Sequence, residues 1–245
     1  MKLVQTMTLS KEEIGPELIL REANILSSLS HDNIVKCFGY GKGTLTLNVN
    51  PKPQTVPYVV IEYFKGGSLF NVLSKVSLKD SLIKSIFRDL VTTVAYCHSM
   101  GIAHRDIKPE NIMFGPNLEA KLIDFGLSCP ISGELKNGLS YEAVGSYPYW
   151  PPELYSTTYP FGYIPAKADI YSLGMTLFVM KYRLYPSYIV PPGALMYCFQ
   201  QEKFWTNLEN FTGIKTDPQL TGLLSSMLMP NSLYRPTIQQ VLNRI

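Results

Sequence analysis

His104-Arg105-Asp106-Ile107-Lys108-Pro109-Glu110-Asn111 is followed, thirteen residues after Asn111, by Asp124-Phe125-Gly126. An acid, a cation, an amide and a second acid thus stand in a fixed order. Asp106 can accept a hydroxyl proton, Lys108 can neutralise a moving phosphoryl group, and Asn111 with Asp124 can hold magnesium, a set suited to phosphoryl transfer. Each motif alone has a blander reading: Asp-Phe-Gly as a turn, His-Arg-Asp as a polar surface loop. Eight consecutive residues with a second motif at a fitting distance leave chance a poor explanation.

The flanking sequence places both motifs. Between residues 82 and 98 the apolar side chains Leu82, Ile83, Ile86, Phe87, Leu90, Val91, Val94 and Ala95 keep helical spacing, and Gly101 stands just past the end as a stop. The first motif therefore follows a long buried helix. Asn111-Ile112-Met113-Phe114 and Ala120-Lys121-Leu122-Ile123, separated by Gly115-Pro116-Asn117, read as a short hairpin that brings Asn111 and Asp124 to neighbouring strand ends.

Upstream, Tyr58-Val59-Val60-Ile61 reads as a buried strand that leaves through Gly66-Gly67, a hinge candidate. Residues 41–57, with Pro51, Pro53 and Pro57, form the one longish connection; residues 44–49 alternate enough to extend a strand, but the simplest reading is a surface loop. Pro16 starts a helix whose apolar positions Leu18, Ile25, Leu26 and Leu29 recur at helical spacing. Glu22 lies four residues from both Leu18 and Leu26, so it is either a carboxylate on the packing face, in need of a cation or strong hydrogen bonds, or a solvated residue at the edge of the stripe. Beyond Asp124 the pattern is helical to the terminus, with Thr237-Ile238-Gln239-Gln240 fitting a capping box.

Composition sets broad limits. The chain has 245 residues, 46% of them hydrophobic, enough for a sizeable core as one large domain or two packed lobes. Net charge is +3 with no run of five like charges, which speaks against a nucleic-acid arm or a polybasic membrane patch. Cys37, Cys97, Cys129 and Cys198 lie far apart without a C-x-x-C pair, against zinc or a disulfide framework. The first ten residues lack the apolar core of a signal peptide, and residues 173–180 are far short of the roughly 20 needed to span a bilayer. A soluble protein of the cytosol or nucleus is expected.

Over nearly its whole length the chain resembles the eukaryotic Ser/Thr protein kinases; Lys108, two residues after Asp106, is the feature typical of Ser/Thr-directed members. The resemblance implies an α+β, bilobal fold: a truncated N-lobe over residues 1–61 with the end of the lysine strand, the Glu22 helix and two further strands, a hinge at 62–67 and a mainly helical C-lobe over 68–245 that carries the catalytic loop and activation segment. It implies ATP and Mg2+ as cofactors and a protein Ser/Thr hydroxyl as acceptor. By the same resemblance Asp106 orients and deprotonates that hydroxyl, Lys108 stabilises the transferring group, Asn111 and Asp124 bind magnesium, and Glu22 fixes a phosphate-anchoring lysine. Ile61 matches the gatekeeper, and Glu62 and Phe64, through their backbone, and Met113 would contact adenine.

The stretch from Gly145-Ser146-Tyr147 through Pro148-Tyr149-Trp150 to Pro151-Pro152-Glu153 resembles the end of the family's activation segment, with Pro151 where Ala is usual. The family fold would pair Glu153 with Arg235 and place Asp169 as a cap on the catalytic loop. Arg105 precedes Asp106 as in kinases switched by an activation-segment phosphate, yet Glu142 stands where that phosphate often sits. A segment ordered without phosphorylation is expected, with Ser140 and Tyr141 as candidate sites.

The departure is at the start. The family begins with two strands carrying a G-x-G-x-x-G loop, and here nothing precedes Met1. Gly39, Gly41 and Gly43 lack the final spacing and come after the Glu22 helix, so they are not that loop. Met1-Lys2-Leu3-Val4 resembles the end of the anchor strand, making Lys2 the candidate anchor lysine; its other reading is a solvated lysine at a frayed terminus. Upstream coding sequence is expected to hold the missing loop. The alternatives are a pseudokinase or binding module unable to hold ATP, and a small-molecule phosphotransferase, which would lack the 145–153 segment.

Overall fold

A computed structural model describes residues 16–47, 50–131, 138–155 and 162–245. Lys2 lies outside the described residues. Those described form seven α-helices and three two-stranded antiparallel sheets.

Helix α1 (Pro16–Ser28) opens on its proline, whose missing N–H costs nothing at a helix start. It buries Ala23 and Leu26, with Ile25 and Leu29 packed on the same core. Strands β1 (Cys37–Leu47) and β2 (Asn50–Ile61) pair as one long hairpin in which Tyr40 faces Val59 and Gly41 faces Tyr58. This corrects the surface-loop reading of residues 41–57: all but 48–49, which lie outside the described residues, are strand. The glycines explain the misreading. A Cβ on Gly41 would stand 3.0 Å from the Tyr58 hydroxyl, so the alternating glycines make room for a cross-strand ring. Pro57 is accommodated because both strands of a two-stranded ribbon are edges, where a missing donor is tolerated.

Residues 62–67 cross to α2 (Leu69–Leu73), capped by Ser68, whose hydroxyl accepts the Asn71 N–H. Helix α3 (Asp80–Ser99) buries the expected stripe and ends at Gly101, whose φ of +75° lets the chain turn away from the helix. Strand β3 (Ile102–Ala103) then pairs with β6 (Cys129–Pro130), and between them β4 (Ile112–Phe114) pairs with β5 (Ala120–Leu122) as the hairpin expected from sequence.

Helix α4 (Pro165–Tyr182) is buried on nearly every face, so no apolar stripe stands out, and it sits centrally against α3 and α6 (Pro218–Met227). Helices α5 (Glu202–Thr212) and α7 (Ile238–Leu242) complete the helical part. The capping box is present: Thr237 Oγ1 accepts the Gln240 N–H, and Gln240 Oε1 accepts the Thr237 N–H at 2.8 Å. Among the described residues the main hydrophobic core runs from Leu26 through α3, β4, β5 and α4 to Val241, and a small second cluster joins Leu154, Tyr163 and Ala168. Among the described residues no helix is long and apolar enough to cross a membrane.

Candidate active site

The loop from β3 to β4 is held from below by Asp169, a fully buried carboxylate of α4. Its Oδ1 accepts the Arg105 N–H and its Oδ2 the His104 N–H, each at 2.8 Å, and Oδ2 also meets His98 Nε2 at 2.9 Å. Burial alone would raise its pKa, yet the hydrogen bond and charge of His98, with His104 and the Arg105 N–H, hold it below the ordinary carboxylate value. The anchored loop keeps Arg105 at φ +68°, an unusual conformation for a side-chain-bearing residue. His104 continues the clamp: its Nδ1 accepts the Asp106 N–H, so its Nε2 carries the proton given to the Ile123 carbonyl at 3.0 Å. Its ring stands edge-on to Phe125, centroids 4.7 Å apart.

Asp106 is thereby presented with its two oxygens in different states. Oδ2 accepts Lys108 Nζ at 2.7 Å and Asn111 Nδ2 at 2.9 Å. Oδ1 is buried and has no hydrogen-bond partner among the described residues. Lys108 Nζ also donates to Ser146 Oγ at 2.5 Å, tying the catalytic-loop candidate to the 145–153 segment. The Asn111 amide spends its NH2 group on Asp106, at the backbone carbonyl and at Oδ2, which leaves its carbonyl end for a cation. The Ile123 N–H donates to the Asn111 carbonyl at 3.0 Å, so Asp124 emerges beside Asn111 as the hairpin reading required. Asp124 sits at φ +63°, with its Oδ1 accepting the Gly126 N–H at 3.4 Å.

Among the described residues no cluster of three or more His, Cys, Asp or Glu could hold a metal. One carboxylate and one amide carbonyl suit a hard cation that keeps water and phosphate oxygens as its other ligands, which is how magnesium is commonly bound. Glu22 reaches the same place from α1: its Oε1 accepts the Phe125 N–H at 3.3 Å. Burial, and then the charge of Asp124, push its pKa up to about 7, opposed by that hydrogen bond. The packing-face reading of Glu22 thus holds, and its pairing with Lys2 lies outside the described residues. Phe64 is buried, and Met113 lies in β4 opposite Lys121 of β5.

The segment after Phe125 is fastened through Arg105. Its Nε donates to the Leu127 carbonyl, one terminal nitrogen to Ser140 Oγ at 3.0 Å, and the other to Glu142 at 3.0 Å. Gly145, at φ +103°, passes so close that a Cβ would lie 2.5 Å from the Arg105 carbonyl; only glycine fits. Glu153 forms a two-pronged ion pair with Arg235 at 2.6 and 2.5 Å. Sequence reasoning missed Ser146 as a partner of Lys108, and Tyr163, whose hydroxyl donates to the Glu142 carbonyl. Ser146 directly follows the glycine that must hug Arg105, and that adjacency was the available signal.

A family model of the protein kinase domain matches residues 1–244. CBL-interacting serine/threonine-protein kinase 12 of Arabidopsis thaliana is 32% identical over 228 residues, covering 91% of this chain and 42% of its own length. CBL-interacting protein kinase 28 of Oryza sativa subsp. japonica is 35% identical over 164 residues, covering 67% of this chain and 35% of its own. The chain belongs to the protein kinase family, with the small sheet portion and mainly helical remainder of that fold. It spans less than half the length of these curated relatives.

Proposed function

We propose that this chain is a magnesium- and ATP-dependent Ser/Thr protein kinase domain, with residues 1–61 as the small lobe, 62–67 as the hinge and 68–245 as the large lobe. The observation that carries the reading is Asp106 Oδ1. A buried carboxylate oxygen without a donor is costly to keep, and an incoming hydroxyl hydrogen is the partner it lacks. Lys108 and Asn111 hold the other oxygen, so the carboxylate is aimed before substrate arrives.

In this reading Asp106 orients the acceptor hydroxyl and takes its proton, and Lys108 shifts part of its hydrogen bonding to the transferring group. Asn111 and Asp124 would hold magnesium, which supplies charge neutralisation to the phosphate oxygens. The hinge backbone at Glu62 and Phe64, with Met113, would receive adenine, and Lys2 is the candidate anchor paired with Glu22. General-base help accounts for about 10²- to 10⁴-fold, so positioning and charge carry the larger share. The acceptor is a Ser or Thr of a protein in the cytosol or nucleus.

The test is transfer of labelled γ-phosphate from ATP, with and without magnesium, to matched peptides bearing Ser, Thr or Tyr. Magnesium-dependent label on Ser and Thr supports the reading. No label, together with no nucleotide binding, would favour the binding-module reading.

A further inference from the structure

Lys121 is a buried cation that the proposed chemistry does not use. It lies mid-strand in β5 between Ala120 and Leu122, both fully buried, and alternation along a strand turns its side chain to the opposite face. There its Nζ meets Glu62 Oε1 at 3.4 Å, with the Lys121 side chain 9% exposed and that of Glu62 20% exposed. Glu62 begins the crossover, directly after β2. Its Oε1 also accepts the Lys36 N–H at 3.1 Å, while its own N–H donates to the Lys36 carbonyl at 3.0 Å.

Residues 33–36 stand between the two partners. On one side they bond to β5: the Leu122 N–H donates to the Asn33 carbonyl at 2.8 Å, the Val35 N–H to the Leu122 carbonyl at 3.0 Å, and Asn33 Nδ2 to the Ala120 carbonyl at 2.8 Å. On the other side both backbone groups of Lys36 bond to Glu62, its carbonyl to the Glu62 N–H and its N–H to the Glu62 side chain. The Lys121–Glu62 pair closes this loop of contacts by linking β5 directly to the crossover. Met113 is Lys121's cross-strand partner, and Asp124 lies three residues further along the chain.

We propose that Lys121 and Glu62 are a positioning pair that sets the spacing between the adenine-binding hinge and the magnesium-binding Asp124. The inference rests on the nucleotide site proposed above. The adenine contacts belong to residues 62–64 and the phosphate-metal contacts to the end of β5, so one ligand must satisfy both at once. Without the pair each half keeps its local backbone bonds, but the distance between halves is less well defined. A ligand that spans both halves loses affinity; one that touches only the hinge does not.

The experiment titrates the full chain with magnesium-ATP and, separately, with adenosine, following heat. Glu62→Gln keeps the shape and the acceptor for the Lys36 N–H, and Lys121→Met keeps the length of the side chain. Both are expected to weaken magnesium-ATP binding about ten- to a hundredfold, the size of a lost hydrogen bond to a charged group, and Lys121→Met to leave adenosine affinity unchanged. Lys121→Arg is expected to restore binding. Should Lys121→Met not fold, Glu62→Gln carries the test. Unchanged magnesium-ATP affinity in Glu62→Gln, or equal losses for both ligands, would overturn the proposal. An unmodified chain that binds adenosine but no magnesium-ATP would remove the kinase reading, and this inference with it.

Discussion

The Arg105 guanidinium, its side chain 2% exposed, is met by the Glu142 carboxylate at 3.0 Å, an anion built into the chain. Where a phosphate would have to be added to neutralise such an arginine, a carboxylate stands there already, with less charge than phosphate but permanently. The same guanidinium holds the Leu127 carbonyl and Ser140, so one side chain fastens two separate stretches of the segment that follows Phe125.

Phosphatase treatment is therefore expected to leave transfer activity unchanged. Glu142→Ala is expected to lower it about tenfold; the exposed carboxylate is screened, which puts the loss at the low end of the about 1.5–3 kcal/mol for a hydrogen bond to a charged group. Activity abolished by phosphatase, and equally by Ser140→Ala, would contradict the assignment of Glu142 as the resident anion.

So long as Lys2 is not engaged with it, since a paired cation would favour the charged form, Glu22 makes stability depend on pH. Its folded pKa, about 7, lies above its ordinary 4.5, so the folded state binds the proton more tightly than the unfolded one. The stabilisation is full below the unfolded value and is lost as pH rises through about 7, with no further change above. Urea unfolding midpoints are expected to fall between about pH 5 and about pH 8 in the unmodified chain, by the sign of that linkage. Glu22→Gln should flatten this part of the profile; an unchanged slope would show that another group is responsible.

Glu153 and Arg235 join the end of the 145–153 segment to the helical part. Arg235 is fully buried, also donates to the Met229, Pro230 and Lys167 carbonyls, and lies over the Tyr171 ring at 5.0 Å. Glu153→Ala leaves that cation without its counter-charge and is expected to cost about 3–5 kcal/mol. Chemical denaturation measures it; a loss under about 1 kcal/mol, the range of surface pairs, would show the pair to be peripheral.

How far the fold could be read from the sequence follows from the range of the interactions. The 104–111 and 124–126 motifs, the α3 stripe, the β4–β5 hairpin and the Thr237 capping box are local, and all were legible. Two strands after α1 were expected, but the reach of the β1–β2 hairpin through residues 41–57 was not legible, because glycines and prolines signal a loop unless the ring of Tyr58 across the ribbon is known. Lys121 reads as one polar residue in a short strand, and only the chain's return at Glu62 gives it a partner. The Arg105–Glu142 and Glu153–Arg235 pairs rested on resemblance, since no periodicity connects residues so far apart.

In the proposed function Asp106 performs the transfer while Asp124 holds the magnesium-nucleotide. Measuring magnesium-ATP affinity and phosphate transfer side by side in Asp106→Asn and Asp124→Asn tests it most directly. Asp106→Asn is expected to bind magnesium-ATP as the unmodified chain does and to lose transfer by about 10²-fold or more, whereas Asp124→Asn is expected to lose the binding itself. Transfer by Asp106→Asn at close to the unmodified rate would contradict the account.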